Sequence, residues 1–142
     1  MDLSFNMAGP ILALGLSLIG SSIGLYIAGA ASHAAMSRVD EGHGKFIGMS
    51  AAPSSQAIYG FLEMLLLANA INEGRVSPIS GVVIGVAVGS AIMLSSIYQG
   101  MVCATGIQAS MKQPAIFGKC FAAVGLIESI SLFAFVFSLL IM

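Results

Sequence analysis

Four stretches of this chain are too long and too apolar to sit in water. Residues 3–37 and 76–111 contain no Asp, Glu, Lys or Arg. Residues 46–72 hold one charge, Glu63, and residues 120–142 hold one, Glu128. A helix needs about 20 apolar residues to cross ~30 Å of hydrocarbon. Each stretch meets that length, so the pattern predicts an all-α membrane protein with four transmembrane helices. They fall at about 6–36, 46–71, 79–111 and 117–141. The first and third exceed what a bilayer requires and are expected to tilt or protrude. A lipid-spanning barrel would show strands of ~10 residues with alternating polarity, and no such alternation occurs.

Composition supports the same class. A soluble domain carries about 25% charged residues, and this chain carries 8% against 58% apolar. Five Lys/Arg and six Asp/Glu cannot wet the ~30% of unfolded surface that a soluble domain of ~140 residues leaves exposed. An ordinary soluble enzyme is thereby excluded. A net charge of −1 supplies no basic field for nucleic acid. Cys103 and Cys120 lie in apolar stretches without metal-like spacing and read as free thiols. The opening Met1-Asp2 lacks the positive n-region of a signal peptide, so the first apolar stretch is taken as a true first helix.

The polar breaks carry the topology. Arg38 and Lys45 follow the first helix, and Lys112 and Lys119 follow the third; only Arg75 follows the second. The positive-inside rule places the 38–45 and 112–119 loops in the cytoplasm and both termini outside. Asp40 and Glu41 read as part of a polar docking loop, and His33 and His43 as solvated groups at a helix end.

The chain also matches itself at an offset of 74. Gly15 meets Gly89, Ser21-Ser22-Ile23 meets Ser95-Ser96-Ile97, and Ala30 meets Ala104. Lys45 meets Lys119, Phe61 meets Phe135, and Leu65-Leu66 meets Leu139-Leu140. One membrane domain, 1–142, is expected, built from a first hairpin at 1–72 and a second at 76–142. An even number of helices separates the copies, so the repeats are parallel. Gly20, Gly24 and Ala28 stripe the first helix, and Gly81, Gly85 and Gly89 the third. Small-residue stripes let backbones approach closely in lipid. The stripes fit packing within one chain or a crowded layer between many copies.

Ionisable and polar groups inside these helices are costly and are functional candidates by default. Glu128 lies nine residues beyond Lys119, a rise of roughly 13 Å, near mid-membrane. The same count from Lys45 reaches Ser54, beside Ser55 and Gln56. Gln99 on the third helix reaches a similar level. One carboxylate, two amides and a hydroxyl make an oxygen-donor set, which hard cations such as Na+ prefer. A protonated carboxyl is the alternative. Pro53 lacks a backbone donor and is expected to kink the second helix and loosen nearby carbonyls. Tyr59 is placed to bond either Glu128 or Glu63. Glu63 lies two turns beyond Gln56, and the repeat puts Phe137 at its equivalent. It reads as a protonated carboxyl with a local hydrogen-bond partner, with ion entry or exit as a second role.

The stretches Pro53-Ser54-Ser55-Gln56-Ala57-Ile58-Tyr59-Gly60-Phe61, Tyr98-Gln99-Gly100, Gly106-Ile107-Gln108 and Leu126-Ile127-Glu128 resemble the proteolipid of rotary ATPases. Within that family they resemble the duplicated four-helix K subunits of prokaryotic V-type ATPases/ATP synthases. The resemblance covers nearly the whole chain. It implies a homo-oligomeric c-ring, with the first helix of each hairpin in an inner layer and the second in an outer layer. By position it also implies a Na+ site of Glu128, Gln56, Gln99, Ser55 and the backbone carbonyl of Ala52, closed by Tyr59. The hydroxyl position is often Thr in such relatives, and Ser55 keeps the donor atom. Glu63 departs from the sodium-type pattern, which has an aliphatic residue there.

The implied role is non-catalytic: a rotor subunit in a prokaryotic cytoplasmic membrane, carrying Na+, or H+ as the alternative, with no organic cofactor. A stator membrane subunit with an essential Arg and central-stalk subunits at the cytoplasmic loops are the implied partners. The chain has no P-loop. Two more distant readings are a small four-helix cation or drug exporter and a structural channel protein. The first would carry its key Glu on the first helix, which is charge-free here. The second would have no use for Glu128 beside Gln56 and Gln99.

Overall fold

The structure, a computed structural model, describes residues 5–142; Met1 and Asp2 lie outside the described residues. A 3-10 turn at Phe5–Met7 leads into α1 (Ala8–Met36). After a six-residue loop come α2 (His43–Ser50), a 3-10 turn at Ala52–Ser54, and α3 (Ser55–Asn72). Then follow α4 (Pro78–Lys112), a 3-10 turn at Pro114–Ile116, and α5 (Phe117–Ile141). Three apolar helices, Phe5–Met36, Pro78–Lys112 and Pro114–Ile141, are long enough to cross a bilayer without interruption.

The second pass differs from the continuous helix expected at 46–71. Pro53 has no N–H to continue the i→i−4 ladder, and the helix breaks into α2 and α3 around it. Backbone carbonyls freed in an apolar setting need other donors. Backbone N–H groups of Ser54 and Ser55 reach the Ala51 and Ala52 carbonyls, and serine hydroxyls add to them: Ser54 donates to Ala51, Ser55 to Ala52 and Ser96 to Pro53 (2.7, 3.0 and 3.2 Å). The broken pass still runs the length of α1. Phe46 and Met49 on α2 pack with Ala31 and Ala35, while Leu67 and Ile71 on α3 meet Gly81 at the far end of α4.

The glycine stripes bring α1 and α4 together in parallel. A Cβ on Gly85 would overlap the Gly9 backbone, one on Gly20 the Met93 backbone, and one on Gly100 the Gly24 backbone. The two helices therefore touch main chain to main chain. Within one chain, the stripes serve packing between the first helices of the two hairpins. The other passes, α2 with α3 and α5, lie against this pair. The face of α5 bearing Leu126, Ile130, Phe133, Phe137 and Leu140 is exposed.

The tight turn between α3 and α4 is set by local chemistry. Gly74 adopts φ +74°, and its N–H bonds the Ile71 carbonyl while Arg75 N–H bonds that of Ala70 (3.0 and 2.9 Å). That is a Schellman closure, which favours glycine at the left-handed position. Ser77 then caps α4 by accepting from Ser80 N–H, with Pro78 as the first helical residue. Arg75 bonds Glu73 (2.7 Å), and that contact holds the Glu73 carboxyl below its ordinary range. Arg75 also donates to the Met142 carbonyl (2.8 Å). The turn, Phe5 and Met142 thus share one end of the molecule. The 38–45 and 112–119 segments share the other, where the Lys45 ammonium sits 5.6 Å from the Phe117 ring centre.

Candidate ion-binding site

The broken second pass and the α1–α4 contact converge on one spot. Gly24 of α1 admits both the Ser96 carbonyl and the Pro53 ring; any side chain there would collide with them. This approach brings the start of α3 against the middle of α4. Gln56 and Gln99 face each other there, both fully buried. Gln56 Nε2 donates to Gln99 Oε1 (3.0 Å) and to Ser95 Oγ (3.4 Å).

Gln99 passes the connection on to α5. Its Nε2 lies 3.3 Å from the Val124 carbonyl and 3.4 Å from Glu128 Oε2. Tyr59, one turn beyond Gln56 on α3, donates its hydroxyl to Glu128 Oε1 (3.0 Å). Its ring stacks on Phe135, centres 6.2 Å apart. Each Glu128 oxygen therefore has a donor, and the carboxyl is half-buried. Ser95 also holds α5 in register by donating to the Ile127 carbonyl (2.8 Å).

Four of the sequence-predicted residues, Glu128, Gln99, Gln56 and Tyr59, thus form one hydrogen-bonded chain across α3, α4 and α5. Ser55 and Ala52 are brought together with each other: the Ser55 hydroxyl donates to the Ala52 carbonyl (3.0 Å). Neither is bonded to Glu128 or to either glutamine. Pro53 lies fully buried against Gly24.

Gln56 Oε1 is buried and has no hydrogen-bond partner. A native buried acceptor normally finds a donor, because leaving it bare costs roughly 1–3 kcal/mol. An open amide oxygen is a suitable ligand for a hard cation.

Ser95 is a site residue that the sequence does not single out. Its only signal there is the repeated Ser-Ser-Ile, which gives no hint that it faces the second hairpin helix. Glu63 lies outside this chain of bonds. It is fully buried, its Oε2 is 2.7 Å from Ser138 Oγ, and its Oε1 has no partner. Tyr59 bonds Glu128 and not Glu63. Asp40 and Glu41 are exposed and line a cleft of about 530 Å³ with Lys45, Phe46 and Phe117 at the loop end. His33 is exposed, and His43 bonds the Val39 carbonyl (2.6 Å). Cys103 and Cys120 are both free.

Comparison with known proteins gives two findings. The family model for the C subunit of ATP synthase matches twice, over residues 8–67 and 82–141. The two matches are offset by the same 74 residues as the internal repeat. The A-type ATP synthase subunit K of Methanocaldococcus jannaschii is 31% identical over 140 residues. That alignment takes in 99% of this chain and 62% of the relative, so the chain spans less than two thirds of the relative's length.

Proposed function

The chain belongs to the ATP synthase C-subunit family, and from that premise we propose that it is a rotor-ring proteolipid carrying one Na+ at Glu128. It is a non-catalytic, ion-translocating subunit. The two hairpins, 1–72 and 76–142, act as one membrane domain within a ring of identical copies.

The observation that carries the ion reading is the open Gln56 oxygen at the end of the Gln56–Gln99–Glu128–Tyr59 chain. With Na+ bound, Glu128 balances its charge while Gln56, Gln99, Ser55 and the Ala52 carbonyl replace its hydration shell. Ser55 already holds its hydroxyl beside that carbonyl, so both oxygens come as a pair. Tyr59 keeps the carboxylate oriented. A neutral ion–carboxylate pair then crosses the lipid-facing part of a rotation without exposing a bare charge to hydrocarbon. At a stator subunit an Arg displaces the ion, and another enters from the opposite side. The membrane potential supplies about 2.3 kcal/mol per charge per 100 mV. Central-stalk subunits dock on the exposed loops at the Asp40–Lys45 end, which faces the cytoplasm of a prokaryotic cell.

A second reading has its own support. Ser55 is turned to Ala52, and neither is bonded to Glu128. Such a carboxyl needs only a proton to become neutral, which makes H+ the alternative cargo. Carbodiimide labelling of Glu128, across pH and with or without Na+, separates the two, because the reagent modifies protonated carboxyls. Protection by Na+ and not by K+ supports the sodium site. Labelling that follows pH alone overturns it in favour of H+.

A further inference from the structure

Glu63 is the second carboxyl inside the membrane passes, and the ion reading leaves it without a task. It is 0% exposed on α3, and Ser138 on α5 is 2% exposed. Ser138 Oγ lies 2.7 Å from Glu63 Oε2 and 2.6 Å from the Phe135 carbonyl oxygen. Both separations are hydrogen-bond distances, and both acceptors are oxygens.

A serine hydroxyl has one proton to give. The carbonyl bond is the one serines make throughout these helices: Ser17 to Ala13, Ser110 to Gly106, Ser131 to Glu128. If Ser138 donates to Phe135 in the same way, the proton in the 2.7 Å contact comes from Glu63. If Ser138 donates to Glu63 instead, two bare oxygens stand 2.6 Å apart at Phe135. A neutral acid gives each contact its own proton, where a carboxylate would leave the single Ser138 proton shared between two oxygens. The partnerless, buried Oε1 agrees: a bare carbonyl oxygen costs about 1–3 kcal/mol, whereas an unpaired buried carboxylate costs far more.

Among the described residues, the surroundings offer no countercharge. α3 packs against α1, α4 and α5. The ionisable groups of α1 are Tyr26 and His33; those of α4 are Tyr98, Cys103 and Lys112; those of α5 are Lys119, Cys120 and Glu128. His33, Lys112 and Lys119 lie toward the 38–45 loop end, whereas Glu63 is in the other half. Glu128 is ten residues before Ser138, roughly 15 Å along α5. Glu73 and Arg75, in the turn beyond α3, bond each other.

The geometry points to a second ligand site, at Glu63 and Ser138, whose ligand is a single proton held between α3 and α5. It is complete within one chain and does not depend on which ion Glu128 carries. Its bond ties together the two helices that bear Tyr59 and Glu128, so it also fixes their register.

Infrared difference spectroscopy on the full-length chain in lipid vesicles at neutral pH tests this. The expected result is a neutral-acid C=O stretch that is lost in Glu63→Gln. The same band should be displaced upward in Ser138→Ala, where its hydrogen bond is removed. Loss of carboxylate stretches in Glu63→Gln, or no change in the acid region, overturns the proposal. Should Glu63→Gln not accumulate, the Ser138→Ala spectrum decides alone: an upward displacement supports the site, and none overturns it. Glu128→Gln, which leaves the Glu63 band in place if the assignment holds, keeps this outcome separate from the ion reading.

Discussion

Gln56 is the residue on which the site turns. Its amide nitrogen is spent on Gln99 and Ser95, and its oxygen is left without a partner in a fully buried position. Gln56→Leu removes the open oxygen and orphans Gln99 Oε1. Hydrogen bonds to charged groups contribute about 1.5–3 kcal/mol, so the Na+ concentration that protects Glu128 from carbodiimide should rise at least ~10-fold. Tyr59→Phe keeps the stacking on Phe135 and deletes only the bond to Glu128 Oε1. In the sodium reading that bond is made to a charged carboxylate, so at about 1.5–3 kcal/mol the protecting concentration should again rise at least ~10-fold. If Gln56→Leu leaves protection unaltered, the amide is packing and not a ligand. Gln56, Gln99, Tyr59 and Glu128 could be picked from the sequence because polar groups are conspicuous in apolar helices. Ser95 could not, because serine is common in such helices and is satisfied by its own backbone.

At the scale of elements, two small features do most of the positioning. Pro53 breaks the second pass, and Gly24 lets the break sit against α4. A side chain at Gly24 must displace the Ser96 carbonyl or the Pro53 ring, and overpacking costs typically 1–3 kcal/mol or more. Gly24→Leu should therefore lower the thermal unfolding midpoint of the purified protein, and weaken Na+ protection of Glu128 with it. Gly118→Ala is the contrasting case. Nothing lies within 4 Å of a Cβ there, and it is helical and exposed. Alanine gains up to ~1 kcal/mol of helix propensity over glycine, so that variant should melt no lower than the parent. Equal losses in both would mean that glycine serves flexibility here and not close approach. The sequence indicates the proline kink, but it does not give the resulting split into α2 and α3.

For the whole molecule, the decisive quantity is the placement of the few charges. Lys45, Lys112 and Lys119 gather at one end, while Arg75 and Met142 meet at the other. The positive-inside rule predicts that the lysine end faces the cytoplasm. Single cysteines introduced at Asp40 or Gln113, in a Cys103→Ala/Cys120→Ala background, should react with an impermeant maleimide only from the cytoplasmic face. One at Gly74 should react only from the opposite face. The reverse pattern would move the docking loops, and with them the stalk, to the other side of the membrane.

The sequence by itself determined the all-α membrane class, the repeat and the long apolar stretches, and it singled out most of the candidate ligands. Each is a local or periodic property: about twenty apolar residues span a bilayer whatever they pack against, and an internal echo needs no coordinates. Only the tertiary structure decided which helices touch. The close approach of Gly9 to Gly85 and of Gly24 to Gly100 brings the stripes of α1 and α4 together within one chain. It also decided which polar atoms are left open. Glu63 and Ser138 lie 75 residues apart in the chain, and the spare oxygen of Gln56 is defined only by what does not reach it. Such facts depend on the distance between elements remote in sequence, and side-chain periodicity carries no information about that distance.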